Sequence, residues 1–271
     1  MTTRPFRTIE QSDPRFERDN LRLMTVKSRN LRGRGDIAVY APMDCPADVP
    51  VVILLHGVYG SAWSWPLSAG VHLQADDAIR KGTLSPMILA MPSDGLWGDG
   101  SGYVPHVTRN FERWIAEDVP AAVRELLPHR ITEKSPFFIA GLSMGGYGAI
   151  RLGAKYPDIF AGFSGLSSIT VFDDLARFVE EPLTAAYQPP SHERDLIQLL
   201  RTNRHTLRPF RFDCGYGDIL IDANRELHRQ LLESGIPHGF FEYEGAHEWN
   251  YWEQQIMFTL RFFNSIANNL I

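Results

Sequence analysis

An α/β fold built on a mostly parallel, doubly wound sheet is what this sequence predicts, and three observations predict it. Short, continuous apolar runs such as Val51-Val52-Ile53-Leu54-Leu55 and Met87-Ile88-Leu89-Ala90-Met91 suit strands covered on both faces. Segments with helical spacing of apolar residues alternate with these runs, which is the rhythm of strand-helix-strand crossovers. The third observation is a Gly-x-Ser-x-Gly turn, Gly141-Leu142-Ser143-Met144-Gly145, set between one such run and one such helix.

The first twenty residues are charged and punctuated by proline, and read as an arm laid on the surface. Leu21 to Lys27 and Asp36 to Tyr40 read as two strands joined by the basic stretch Ser28 to Gly35, a solvated hairpin end. Val51 to Leu55 is the next strand, ending at His56-Gly57. Ala69 to Lys81 reads as a helix, and Met87 to Met91 as a strand stopped by Pro92. From Phe111 to Leu127, Trp114, Ile115, Val119, Val123 and Leu126 recur at helical spacing, with a kink expected at Pro120. Phe137 to Ala140 leads into the serine turn, and Tyr147 to Tyr156 is the helix beyond it. Phe160 to Ser164, Phe210 to Cys214 and Phe240 to Tyr243 add strands. Ala223 to Glu233 and Tyr251 to Asn268 add helices. The polar, Pro-bearing stretch from about 168 to 208 breaks the rhythm and reads as a small cap over the carboxyl ends of the strands, where ligands of such sheets bind. The length of 271 residues fits one domain spanning 1–271.

Composition excludes several function classes. A net charge of −5 gives no electrostatic case for nucleic acid or an anionic membrane. No stretch approaches the roughly 20 apolar residues that span a bilayer, and the first residues hold no apolar signal region, so the cytoplasm is the expected compartment. Two cysteines, Cys45 and Cys214, make neither a disulfide framework nor a metal cluster. No metal and no organic cofactor is expected. A homo-oligomer is compatible with the chain.

The serine turn is where chemistry concentrates. A serine on a sharp strand-to-helix turn presents its hydroxyl above the sheet, and flanking glycines keep neighbouring Cβ atoms away. That hydroxyl is nearly inert at neutral pH without a base. His247, in Gly245-Ala246-His247-Glu248-Trp249, follows the last strand and can reach Ser143 from the same sheet edge. A carboxylate is expected on a loop between them. Asp218, past Gly215 and Gly217, is the choice; Asp213 within the strand and Asp222, which also reads as a helix N-cap, are the alternatives. The order Ser143, Asp218, His247 is that of an α/β-hydrolase. The oxyanion would be held by the backbone N–H groups of Met144, after the nucleophile, and Val58, in His56-Gly57-Val58-Tyr59-Gly60 after an early strand. His56 itself reads as structural. Tyr59, Trp97 in the Ser93 to Tyr103 loop, and Trp249 are the candidate substrate contacts.

Taken together, Leu54-Leu55-His56-Gly57, Gly141 to Gly146, Cys214 to Asp218 and Gly245 to Asn250 resemble the putative-esterase family of α/β-hydrolases. That family includes esterase D, tributyrin and feruloyl esterases and mycolyltransferases. The resemblance implies hydrolysis of a small-molecule carboxylic ester, short-chain or aryl, by Ser143 with Asp218 and His247. An acyltransferase, or a thioesterase similar to S-formylglutathione hydrolases, would use the same residues. After the first core strand those hydrolases carry Ser-Gly-Leu-Thr-Cys where this chain has His56 to Gly60, which disfavours a glutathione thioester.

Overall fold

The computed structural model describes residue 6 and residues 8–183 and 186–269. Nine strands form one sheet in the order β1-β2-β3-β5-β4-β6-β7-β8-β9. These are β1 (Ile9–Gln11), β2 (Leu21–Ser28), β3 (Gly33–Tyr40), β4 (Val51–Leu55), β5 (Ile88–Pro92), β6 (Phe137–Leu142), β7 (Phe160–Leu166), β8 (Phe210–Gly215) and β9 (Gly239–Tyr243). The pairs from β1 to β5 through β3 are antiparallel, and every pair from β5–β4 to β8–β9 is parallel.

The central runs are apolar throughout because both faces are covered. Val51, Ile53 and Leu55 of β4 enter one hydrophobic cluster, with Trp114, Val119 and Ile150. Val52 and Leu54 enter the other, with Trp65, Ala75, Ile256 and Leu260. The helices divide accordingly. α3 (Phe111–Arg113), α4 (Val119–Leu126), α5 (Met144–Lys155), α6 (Leu196–Thr202) and α7 (Ile221–Glu233) line the first face. On the second lie α1 (Ser64–Ser68), α2 (Val71–Arg80) and α8 (Trp249–Ala267). The strand order reverses around β4, with β5 on one side and β6 on the other, so the loops after β4 and β6 flank a switch point where open α/β sheets bind ligands.

Several expectations change. The N-terminal arm contributes β1, whose Ile9 pairs with Val26 at the sheet edge, and Phe6 is buried. The basic hairpin loop is shorter than expected, since β2 runs to Ser28 and β3 begins at Gly33. The helix expected over 111–127 is α3, one π-turn (Trp114–Asp118) and α4. Pro120 has no N–H to give an α-helical bond. The register loosens just before it, so that the Val119 N–H reaches the Trp114 carbonyl. Asp222 is not an N-cap: α7 starts at Ile221, and the Asp222 side chain is 93% exposed beside Arg225.

Candidate active site

β6 ends at Leu142 and α5 begins at Met144, leaving Ser143 alone at the corner with φ 55° and ψ −118°. A non-glycine residue adopts such a conformation only when its surroundings impose it. Two close approaches do so. A Cβ on Gly141 would lie 2.3 Å from the Gly145 carbonyl oxygen, and one on Gly145 would lie 2.5 Å from the carbonyl oxygens of Leu55 and His56. Helix α5 is therefore pressed onto β4 and β6 by the two residues of the motif that have no side chain. The Ser143 N–H donates to Leu166 O at 2.9 Å, which closes the corner from the β7 side.

Ser143, Asp218 and His247, far apart in sequence, meet at this edge. His247 Nε2 lies 3.0 Å from Ser143 Oγ. Its Nδ1 lies 3.0 and 3.1 Å from the two Asp218 carboxylate oxygens. A carboxylate only accepts, so Nδ1 carries the proton and Nε2 faces the serine as an acceptor. The loops that bear acid and base are stapled together, with Tyr216 N–H on Tyr243 O and Gly217 N–H on Gly245 O, both at 2.8 Å. Burial pushes the Asp218 carboxyl up. The His247 imidazole and the Leu220 N–H, which donates to Oδ1 at 2.8 Å, outweigh it and hold the group below its ordinary range.

The other two carboxylates lie elsewhere. Asp213 is fully buried, accepting from the Tyr251 hydroxyl at 2.8 Å and Arg211 Nη2 at 2.9 Å. Burial pushes its carboxyl up to about 6 against the pull of Arg211. It occupies a structural ion pair, not the partner position of His247, and Asp222 is on the surface.

Met144 opens α5, so its N–H has no acceptor within the helix. Among the described residues, neither that N–H nor that of Val58 has a hydrogen-bond partner. Val58 lines the cavity above Ser143, Met144 follows Ser143 directly in the chain, and the side chains of Val58 and Met144 both pack towards Gly100.

That cavity holds about 290 Å³, and its walls are largely aromatic: Tyr59, Trp63, Phe178, Trp249 and Trp252. Of the three candidate substrate contacts, Tyr59 and Trp249 line this cavity and Trp97 is outside its lining. Its ring packs against His106 at 4.6 Å and Tyr187 at 5.4 Å between centroids, in a cluster with Phe111 away from the cavity lining. Phe178 is a wall residue with no counterpart in the sequence reading. It lies 5.2 Å from the His247 ring, and its only signal is one aromatic in the polar run Arg177-Phe178-Val179-Glu180-Glu181.

Fold and motif together define an α/β-hydrolase of the serine-hydrolase type. More narrowly, the chain belongs to the putative-esterase family, whose model matches residues 28–263. An acetyl esterase from Caldicellulosiruptor saccharolyticus is 24% identical over 271 aligned positions, covering 89% of this chain and 97% of the relative. Among solved structures, a ferulic acid esterase superposes with a TM-score of 0.76 at 22% identity, over 96% of this chain and 98% of that one. An S-formylglutathione hydrolase from Agrobacterium tumefaciens gives a TM-score of 0.75 at 17% identity, over 94% of this chain and 98% of that one. No helix among the described residues is long and apolar enough to cross a membrane.

Proposed function

We propose that this protein is a serine carboxylesterase that hydrolyses short-chain or aryl carboxylic esters through an acyl-serine intermediate. One observation carries the reading. Ser143 Oγ, the His247 imidazole and the Asp218 carboxylate form an unbroken hydrogen-bonded line at the floor of an apolar cavity. His247 Nε2 takes the hydroxyl proton as Ser143 Oγ bonds to the ester carbonyl carbon. The Met144 and Val58 N–H groups receive the oxyanion. The imidazolium, steadied by Asp218, gives its proton to the departing alcohol. Water then repeats the sequence with the same histidine and frees the acid. Asp218 serves by holding the Nδ1–H tautomer and compensating the charge on the ring.

The cavity supports a modest acyl or aryl substrate. Its volume of about 290 Å³ is at the lower end of small-molecule sites, and Tyr59, Trp63 and Trp249 offer ring faces rather than charge. We further read the chain as a single α/β-hydrolase unit to which the stretch 168–208 adds one wall of the site, through Phe178. A fluorophosphonate probe should label wild-type protein at Ser143. Ser143→Ala should abolish labelling and lower p-nitrophenyl acetate hydrolysis by about 10⁴-fold or more. Full activity in that variant would refute the reading. The likeness in fold to an S-formylglutathione hydrolase favours a thioesterase as the second reading, and kcat/KM for S-formylglutathione beside p-nitrophenyl acetate separates the two.

A further inference from the structure

Asp99 is outside the line from serine to carboxylate, yet it joins two walls of the cavity. Its backbone carbonyl accepts the Tyr59 N–H at 2.9 Å, which holds the loop after β4 where Val58 faces the site. Tyr59 sits there at φ 59°, a conformation that needs such a restraint. The Asp99 carboxylate turns the other way. Its Oδ2 accepts the N–H groups of both Glu180 and Glu181 at 2.8 Å, and the Tyr59 hydroxyl also takes the Glu180 N–H at 3.2 Å. Two residues before Glu180, the Phe178 ring covers His247. The segment is fixed independently at its far end, where Gln188 N–H meets Pro105 O and the Tyr187 hydroxyl meets Gly100 O, both at 2.8 Å. Phe178, Val179 and Leu183 pack partly buried against the core, whereas Glu180 and Glu181 between them are exposed and have no apolar burial of their own, so their backbone is held by the Asp99 and Tyr59 contacts. A carboxylate accepting two backbone N–H groups is the strong kind of hydrogen bond.

Chemistry says which half of the substrate this wall touches. His247 Nε2 gives its proton to the departing alcohol, so the alcohol passes beside the His247 ring, on the side that Phe178 covers. The carbonyl oxygen points to Val58 and Met144 instead. We propose that Asp99 is a specificity-determining positioning residue, its carboxylate pinning the Phe178–Glu181 segment so that Phe178 limits the size of the alcohol group. The inference rests on the esterase reading of the same site.

Two ester series test it on wild type, Asp99→Ala, Asp99→Asn and Phe178→Ala. In one the alcohol varies (methyl, phenyl and 2-naphthyl acetates), and in the other the acyl group varies (p-nitrophenyl acetate, butyrate and hexanoate). The expected result is a rise of about ten-fold in the kcat/KM ratio of naphthyl to methyl acetate for Asp99→Ala and Phe178→Ala, as expected for opening a pocket by one side chain. The acyl ranking should move by less than about two-fold in the same variants, since that group lies away from Phe178. Asp99→Asn keeps an oxygen that accepts both N–H groups, and should retain the wild-type ranking. An unchanged alcohol ranking in Phe178→Ala or in Asp99→Ala, a shifted ranking in Asp99→Asn, or an equal shift in both series overturns the inference. Where Asp99→Ala fails to fold, Asp99→Ser, whose hydroxyl is too short to take both N–H groups, is read in its place with the same expected shift. Wild type that neither hydrolyses these esters nor takes the fluorophosphonate label overturns the esterase reading and this inference with it. Labelled, active wild type with unmoved rankings in the Phe178→Ala and Asp99→Ala variants overturns the inference alone.

Discussion

His56 and His247 stand at the same edge of the sheet, one just after β4 and the other just after β9, and both keep their proton on Nδ1. What differs is the partner of Nε2. At His56, Nδ1 donates to Gly57 O at 2.6 Å and Nε2 accepts the Asp94 backbone N–H at 3.0 Å. An amide does not surrender its proton at neutral pH, so this imidazole is a brace between two loops. At His247, Nε2 meets a hydroxyl that can surrender its proton, and Nδ1 meets a carboxylate that stabilises the charged ring. Burial lowers the His56 proton affinity, with the nearby Asp94 carboxylate opposing, so His56 stays neutral where a base must become charged. The lesson is that a histidine's role follows from the kind of group on each nitrogen rather than from its place in the fold.

The comparison breaks most sharply at His247. Replacing it with alanine should lower kcat/KM for p-nitrophenyl acetate by about 10⁴-fold or more while leaving the melting temperature nearly unchanged, because the ring is partly open to the cavity. Retained activity there would transfer the base role elsewhere. Asp218→Asn should cost somewhat less, about 10³- to 10⁴-fold, through loss of the tautomer and of charge compensation. The smallest effect is expected at His56. His56→Gln should leave the rate of the folded enzyme within about three-fold and cost about 1–3 kcal/mol of stability in thermal or urea unfolding, the range for a disturbed buried hydrogen bond. Its pH dependence gives the finer test. A histidine whose folded pKa lies below the unfolded value of 6.5 contributes stability above that pH, and loses it as pH falls through the window down to the folded pKa. The acid limb of the stability curve should therefore be shallower in His56→Gln than in wild type. An unchanged limb would mean that His56 is not held neutral.

Much of this arrangement is legible in the sequence because it depends on local pattern. Strands with continuous apolar runs are found where expected; Ser143 follows one of them, and Asp218 and His247 follow the mixed runs of β8 and β9. Features that depend on distant partners are not legible. β1 has a polar sequence and exists through its pairing with β2. Helix α5 takes in Gly145 and Gly146, despite the poor helix propensity of glycine, because a Cβ on Gly145 would strike the Leu55 and His56 carbonyls and one on Gly146 would strike Ser168. Asp222 has the chemistry of an N-cap, but the preceding turn is already satisfied by Asp218, which takes the Leu220 N–H. Trp97 and Phe178 exchange the roles their loops suggest: the tryptophan fills a niche beside His106, and the phenylalanine reaches the catalytic edge.

The corner at Ser143 has a further consequence. A non-glycine residue in a sparsely populated backbone region costs about 1–3 kcal/mol. The Ser143 backbone, at φ 55° and ψ −118°, is held there by the strand before it, the helix after it and the bond to Leu166. The Ser143 hydroxyl is thus displayed at the expense of the fold's own stability. Glycine, which takes this backbone conformation without strain, would relieve that cost, so on the proposed esterase reading Ser143→Gly should gain stability as it loses activity.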